Sequence, residues 1–543
     1  MSVKKINALN FLSKYPIILS VIISLIVLAI YSGVLTADFV MWEDDIFIYK
    51  NPNLGKLSLD RIYWAFTDVD LMMRYNPLTL ISWCFTYHFW GLNPFGYHLV
   101  NWLLHGLNAG LLFLIIRKIL LLSIANQNNV QSVHRNINIA ALLATLFWAL
   151  HPLRVEPVAW ATDRTYCQAI FFLLLSTLFY IEAVVLEADK KCYIFFIISA
   201  FIFYTISLFS YAFGITYFAV FFILDIFLFK RVGGSIGWWK SRTVKKVLFE
   251  KLIFGLPAVL VGTITVIVIF NYNGLIWEPP VKLQDFGLFE RVMQAMYILS
   301  YVIWRSFYPV NLAPIYTALV SFDPLAKPFL LSAFSVIVIS VILFIFRKRW
   351  PLIFALWLSY IILSIPFMGF FEHPHFHCDR YSLVPSICLS ILIAFALINL
   401  MKNKKISVIS VSVLLIVICI LSWVSFNQIK IWNNSETLFS HMIKTLGNDP
   451  YRQDIYCRLG AYLYEKGKKE KAIINFEKTL EINPFHPLAN IYMTKIEYKN
   501  NNLTKVKYHL QNLLITLPYN SATHSRISEI IDKLNKNEKS AYH

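Results

Sequence analysis

The chain has 543 residues, 58% hydrophobic and 16% aromatic with only 15% charged, a make-up that excludes an ordinary soluble globule and points to a membrane protein with many spans. A formal charge of +18 does not mark a nucleic-acid binder here, because Lys and Arg stand in short clusters between apolar runs and not on one basic face. The seven cysteines show no metal-ligand or redox spacing, which excludes a disulfide framework and thiol chemistry.

In chain order, residues 16–35 form an uncharged apolar run long enough as a helix to cross a bilayer core. Lys4, Lys5 and Lys14 precede it, so the positive-inside rule keeps the N-terminus cytoplasmic and sends the next loop to the far side. No small-residue cleavage site comes after Leu35, so the run is expected to stay as a helix. Glu43, Asp44 and Asp45 come next. Three neighbouring carboxylates repel one another, and a low-dielectric membrane surface would poise one of them as a general base near neutral pH. The same three acids also suit a plain solvated cap.

Residues 57–67 predict a short amphipathic piece, and residues 77–90 are apolar but brief. Further spans are expected at 97–116, closing on Arg117-Lys118, and at 137–150, 166–186, 193–209, 211–229, 252–270, 328–346, 351–370, 381–400 and 406–426. Basic clusters at 190–191, 230–251, 347–349 and 402–405 fall on one side if these alternate. That parity requires 77–90 and 289–308 to lie on the membrane or re-enter it. About eleven crossings result, with the region after Trp432 on the same side as the acids.

The tail changes character. Pro450, Pro484 and Pro518 recur every 34 residues, and Tyr456, Leu459-Gly460, Leu463, Ala472 and Phe476 occupy the small and aromatic positions of a tetratricopeptide unit. Two domains are expected: a membrane domain over 1–431 and a repeat domain over 432–543. Such arrays bind peptide in a groove, and a short one equally suits a cap packed on the membrane domain.

A charge at mid-bilayer costs roughly 2.5 kcal/mol or more, so charged and polar residues at span ends need a reason. They gather in three places on the acidic side. His151, Arg154, Glu156, Asp163 and Arg164 join two spans; His98, Asn101 and His105 lie near one helix face; and the stretch 372–381 carries Glu372, His373, His375, His377, Asp379, Arg380 and Tyr381. Arginine can hold a lipid-linked phosphate bidentately, which makes Arg164 and Arg380 candidate donor ligands. Pairing with Asp163, Glu156 or Asp379 merely to satisfy the span ends is the competing account. The three histidines at alternate positions would need a fourth ligand to hold a metal, so they stand as weak candidates and no metal is assigned.

These segments together resemble the transmembrane and tetratricopeptide-repeat-containing O-mannosyltransferases and their bacterial relatives, of the GT-C class of membrane glycosyltransferases. The resemblance rests on W-E-D-D-I-F-I-Y-K-N at 42–51, Y-N-P-L at 75–78, G-L-N-P-F-G-Y-H-L-V-N-W-L-L-H at 91–105, H-P-L-R-V-E-P-V-A-W-A-T-D-R at 151–164, D-R-Y-S-L-V-P-S at 379–386 and the repeats. It implies an all-α polytopic GT-C domain followed by a short repeat domain. It also implies that the Glu43-Asp44 pair is the catalytic base region, with Asp45 an extra acid. Asn76 stands where the family commonly carries Arg, which brings Arg74 in as a substitute phosphate ligand. The implied reaction is inverting transfer of a sugar, mannose by default, from a polyprenyl-phosphate donor to a Ser or Thr hydroxyl of a protein. Arg164 and Arg380 would stabilise the departing phosphate, with His98, Asn101, His105, His151, Glu156, Asp379 and Tyr381 in support. No cofactor is required on this reading, while a divalent ion stays open. Partners are the lipid-linked donor, a protein acceptor held by the repeats, and membrane lipids, with no nucleic acid. Two other readings stay open: the same fold acting on a lipid or envelope glycan, and a non-catalytic membrane scaffold that presents the repeats. A bacterial inner membrane with a periplasmic site is the expected setting, the endoplasmic reticulum membrane its alternative.

Overall fold

Long apolar runs in a membrane can satisfy their backbone groups only within a helix or a closed barrel, and the Leu, Ile and Phe of these runs show no strand-like alternation. The computed structural model describes residues 15–69, 71, 75–124, 130–233, 238–271, 281–320, 322–517 and 521–540. Among these residues every regular element is helical, so the protein is all-α. Lys4, Lys5, Lys14, Arg74 and Pro518 lie outside the described residues.

Six helices are long and apolar enough to cross a membrane: Pro94–Ile124, Ala161–Val185, Lys190–Ser210, Arg242–Phe270, Lys327–Ile345 and Lys404–Ile431. A seventh crossing is available as a bent pair, Val133–Ala149 and Pro152–Ala159, which turn by 60° at the break. Four shorter apolar helices, Pro16–Ile30, Ala212–Phe227, Pro351–Phe367 and Ser386–Leu400, fall on the remaining apolar runs. They are short because their ends unwind. Tyr381, expected inside a span, sits instead in a 3-10 turn, Asp379–Ser382, and Pro385, which has no N–H to give, stands directly before the Ser386 helix start.

Two runs extend beyond their expected ends. The Pro94–Ile124 helix continues past Arg117-Lys118 because the Arg117 side chain donates to Asn138 at 2.8 Å and Lys118 pairs with Glu182, so neither cation ends the helix. The run expected from 252 already begins at Arg242 and takes in Lys245, Lys246 and Lys251. The piece at 77–90 is a 14-residue helix, Pro77–Trp90, and residues 289–308 fold as Leu288–Phe307, whose inward face carries Met293, Ile298 and Val302.

The chain forms two compact units. One comprises the residues up to Phe39 together with Glu43–Asn433; the other comprises Val40–Trp42 together with Asn434–His543. Three residues immediately before the acids thus belong with the tail. There the Met41 N–H donates to the Ser435 hydroxyl at 2.8 Å, and the Trp42 ring meets Phe439 edge-on while the Arg458 guanidinium lies 4.9 Å from its centre.

The second unit is a succession of paired helices: Ser435–Leu446, Arg452–Glu465, Lys469–Ile482, Pro487–Lys499, Leu503–Thr516 and Ala522–Ser540. Gly467, at φ +76°, makes the turn between the second and third. Gly460 lets those helices close up, since a Cβ there would meet the Phe476 ring at 2.7 Å. Leu459, Leu463, Ala472 and Phe476 are buried in the same pair.

Candidate active site

The bend at 151–164 builds the site. His151 caps the short Pro152–Arg154 turn: the Leu153 N–H donates to its Nδ1 at 3.2 Å, which leaves Nε2 to donate to the Ser306 carbonyl at 3.0 Å. One turn later comes Val155–Ala159, and then Ala161–Asp163, a second 3-10 turn that opens the next span at Arg164. Every residue from His151 to Arg164 is buried. Polar groups placed so deep must be paired within the protein.

The acid loop docks on this segment. The Asp44 carboxylate is fully buried and accepts from both the backbone N–H of Thr162, at 3.0 Å, and its hydroxyl, at 2.6 Å. Glu43 and Asp44 lie within electrostatic reach of Asp163. Glu43 is half-buried with a left-handed backbone, φ 97°, a conformation that costs a non-glycine residue about 1–3 kcal/mol and persists only where its surroundings hold it. Asp45 opens a single π-helical turn, Asp45–Tyr49, and its Oδ1 is buried with no hydrogen-bond partner among the described residues.

Arg380 closes the arrangement from the other side. Its guanidinium pairs with Glu156 and lies 3.8 Å from Asp163, while its backbone N–H donates to the second Glu156 oxygen at 3.1 Å. Trp160 and Tyr381 flank it, 5.1 and 5.4 Å from the guanidinium carbon. Its side chain keeps 16% of its surface exposed, against 3% for Glu156. The loop acids, the bend acids and one arginine therefore meet at one place, drawn from three separate stretches of chain.

Arg164, the other expected phosphate ligand, is engaged by the protein itself. Nε donates to Asn101 at 3.2 Å, Nη1 to the Thr86 hydroxyl at 2.6 Å and to Ser82, and Nη2 to the Tyr97 carbonyl at 3.0 Å. All three nitrogens are engaged in a residue with no exposed surface. It ties the Pro77–Trp90 and Pro94–Ile124 helices to the bend. Asn101 shares that duty, donating from Nδ2 to the Trp160 carbonyl at 2.9 Å.

The supporting residues divide in the same manner. His98 is buried facing Asp38 and Arg164, and His105 is bonded through Nε2 to the Ala149 carbonyl at 2.9 Å. Asp379 accepts from the Tyr316 hydroxyl at 2.8 Å, and burial, with Glu156 beside it, pushes its carboxyl up to about 8. Tyr381 stacks on Phe367 at 5.0 Å. The three histidines of 373–377 part company: His373 stacks on Phe286 at 4.3 Å, His375 bonds Glu372 at 2.8 Å, and His377 sits among Tyr297, Tyr301 and Tyr316. Among the described residues no three His, Cys, Asp or Glu side chains are grouped to hold a metal ion.

Sequence reading passed over Thr162 and Tyr316 as functional positions, and Asp163 beyond its pairing with arginine. Thr162 and Asp163 lie inside the quoted 151–164 motif, so their proximity to Arg164 was a signal. Tyr316 had none, because it reaches Asp379 from 63 residues away.

The chain matches no protein-family model and no solved structure. It is 36% identical over 118 residues to the protein O-mannosyl-transferase TMTC4 of Mus musculus, across 22% of this chain and 16% of that one. It is 33% identical over 162 residues to TMTC2 of Homo sapiens, across 28% and 18% of the two chains. The match to human TMTC1 is broader, 23% identity over 460 residues, covering 76% of this chain and 48% of that protein. The chain therefore spans less than half the length of these relatives. It is similar in sequence, distantly but along most of its own length, to a protein named as a protein O-mannosyl-transferase.

Proposed function

We propose that this chain is a membrane glycosyltransferase that moves a sugar, mannose by default, from a polyprenyl-phosphate donor to a Ser or Thr hydroxyl of a protein, with inversion. The observation that supports it most is the junction of the acid loop with the bend, Asp44 on Thr162 beside the Asp163–Arg380–Glu156 group. In this reading a carboxylate of the Glu43/Asp44 pair takes the acceptor's hydroxyl proton as that oxygen attacks the anomeric carbon. The bond from that carbon to the lipid phosphate breaks on the opposite face, and the phosphate leaves with its electron pair. Such a base contributes roughly a hundredfold or more.

Arg380 meets the charge that grows on the leaving phosphate, because it is partly exposed where Arg164 is spent on protein partners. The reading assigns charge neutralisation to that guanidinium and asks for no divalent ion. The paired-helix tail holds the protein acceptor, and the setting is a bacterial inner membrane with the acids on the periplasmic face.

The test is transfer from polyprenyl-phosphate mannose to a peptide acceptor by the full chain in vesicles, followed by intact mass. Glu43→Gln with Asp44→Asn is expected to remove product by at least about a hundredfold in the folded fraction, with Glu43→Gln alone, which leaves the Asp44–Thr162 bonds in place, as the variant whose thermal midpoint stays near wild type. Wild-type rates from that double variant would end the base assignment.

A further inference from the structure

Away from the acids, the connection leading into the Arg242–Asn271 helix carries many cations and few carboxylates. Arg231, Lys246 and Lys251 are paired with Asp225, Glu187 and Glu250. Of the remaining cations, Lys240, Arg242 and Lys245 stand together at the helix start, all exposed, with no ion pair among the described residues and no acidic side chain in the first helical turn. Cations at a helix start lie against the positive end of its dipole, so in water this arrangement opposes the helix it begins.

The orientation is set by packing. Val244 and Val247 are buried against Val232, Phe222 and Ile226, which turns Arg242 and Lys245 outward. The same outward face continues with Phe249 and Leu252, 64% and 70% exposed, on a helix apolar enough to cross a membrane. Trp239, 53% exposed, stands just before the cations, the place where an indole anchors a span at the headgroup level. An indole and three cations that make no ion pair among the described residues are thus followed within two turns by bare apolar side chains. A nucleic acid or an acidic peptide would match the cations but not the apolar continuation. A lipid matches both.

We propose that Trp239, Lys240, Arg242 and Lys245 bind the head group of an anionic phospholipid, whose acyl chains lie along Phe249 and Leu252. The bound phosphate supplies the anion that the helix start lacks. Each such cation near an anionic leaflet is worth roughly fivefold in affinity, so removing all three should weaken binding roughly a hundredfold.

The experiment titrates phosphatidylglycerol or phosphatidylcholine into detergent-solubilised full-length protein and reads bound lipid by native mass spectrometry, with the thermal midpoint alongside. Wild type should retain phosphatidylglycerol and gain thermal stability from it, with little response to phosphatidylcholine. Lys240→Gln/Arg242→Gln/Lys245→Gln should lose that preference, whereas Lys466→Gln/Lys469→Gln/Lys471→Gln, exposed cations of the paired-helix tail, should keep it. Equal response to both lipids, full retention in the first triple variant, or equal loss in the second would each overturn the site. So would stabilisation by heparin without any by phosphatidylglycerol. If the first triple variant does not fold, Lys240→Gln alone, on an exposed turn, should still show roughly a fivefold loss.

Discussion

Around Asp225 three carboxylates meet three cations. Asp225 binds Arg231 at 2.9 Å and Lys251 at 2.7 Å, Arg231 reaches Glu250 at 2.8 Å, Lys246 reaches Glu187 at 2.7 Å, and the Tyr180 hydroxyl fills a remaining site on Asp225 at 2.7 Å. Around Asp163 the balance is different: Glu156, Asp163 and Asp379 crowd together near Asp44, Arg380 pairs with the first two, Arg154 and Arg305 lie within electrostatic reach of Asp379, and among the described residues Asp163 keeps one buried oxygen without a hydrogen-bond partner. Both clusters centre on a buried aspartate in the same unit, so the depth of that aspartate does not separate them. The compensated cluster pairs each of its carboxylates with a cation and serves to join helices. The one with surplus carboxylate stores electrostatic tension that a substrate proton or a passing cation could relieve, which is the condition found at catalytic sites.

If that contrast is right, removing a cation should cost folding in the first cluster and chemistry in the second. Arg231→Met strips Asp225 and Glu250 of a buried partner and is expected to lower stability by about 3–5 kcal/mol, with the transfer rate of the folded fraction unchanged. Denaturant titration beside a transfer assay on the same preparation decides it, and a loss of rate without loss of stability would erase the distinction. Arg380→Lys keeps the charge but not the planar fork. It should slow transfer about a hundredfold with a small shift in thermal midpoint, and a lysine variant as fast as wild type would remove the fork from the mechanism.

The smallest effect concerns pH. Because burial raises the Asp379 carboxyl to about 8, the native state keeps a proton that the unfolded chain releases near 4. The native state therefore binds more protons across that window, so stability should fall as pH rises from about 4 to about 8 and level off above it. Asp379→Asn carries no titrating group and should flatten the slope, as thermal midpoints at pH 5.5 and 8.5 would reveal. An unchanged slope would mean that other groups dominate it.

Much of the architecture was readable from residue order. An apolar run in a bilayer has one inexpensive conformation, so the helices at 16–30, 94–124 and 404–431 follow from composition nearly without regard to context. Their ends were harder. Arg117 looked like a stop and is not one, because Asn138 on the next helix takes its hydrogen bond. Tyr381 looked like the first residue of a span and lies in a turn, because the backbone around it is held by Asp379 and Ser382. The motif at 151–164 was visible as a site, but its parts could not be sorted from the string.

Arg164 and Arg380 show where residue order stops being informative. Each comes directly after an aspartate at the edge of an apolar run, and local sequence ranks them equally. The difference lies in which side chains arrive from elsewhere. Ser82, Thr86 and Tyr97 come to Arg164 from 67–82 residues away and fill its donors, whereas Arg380 pairs with Glu156 and Asp163 between the Trp160 and Tyr381 rings and keeps part of its side chain exposed. Hydrophobicity and local spacing act within a few turns of helix, so the chain alone specified the spans, the repeat period and the acidic loop. Hydrogen-bond saturation and charge balance depend on neighbours in space, so only the folded packing could decide which arginine stays available and which carboxylates are left short of a partner.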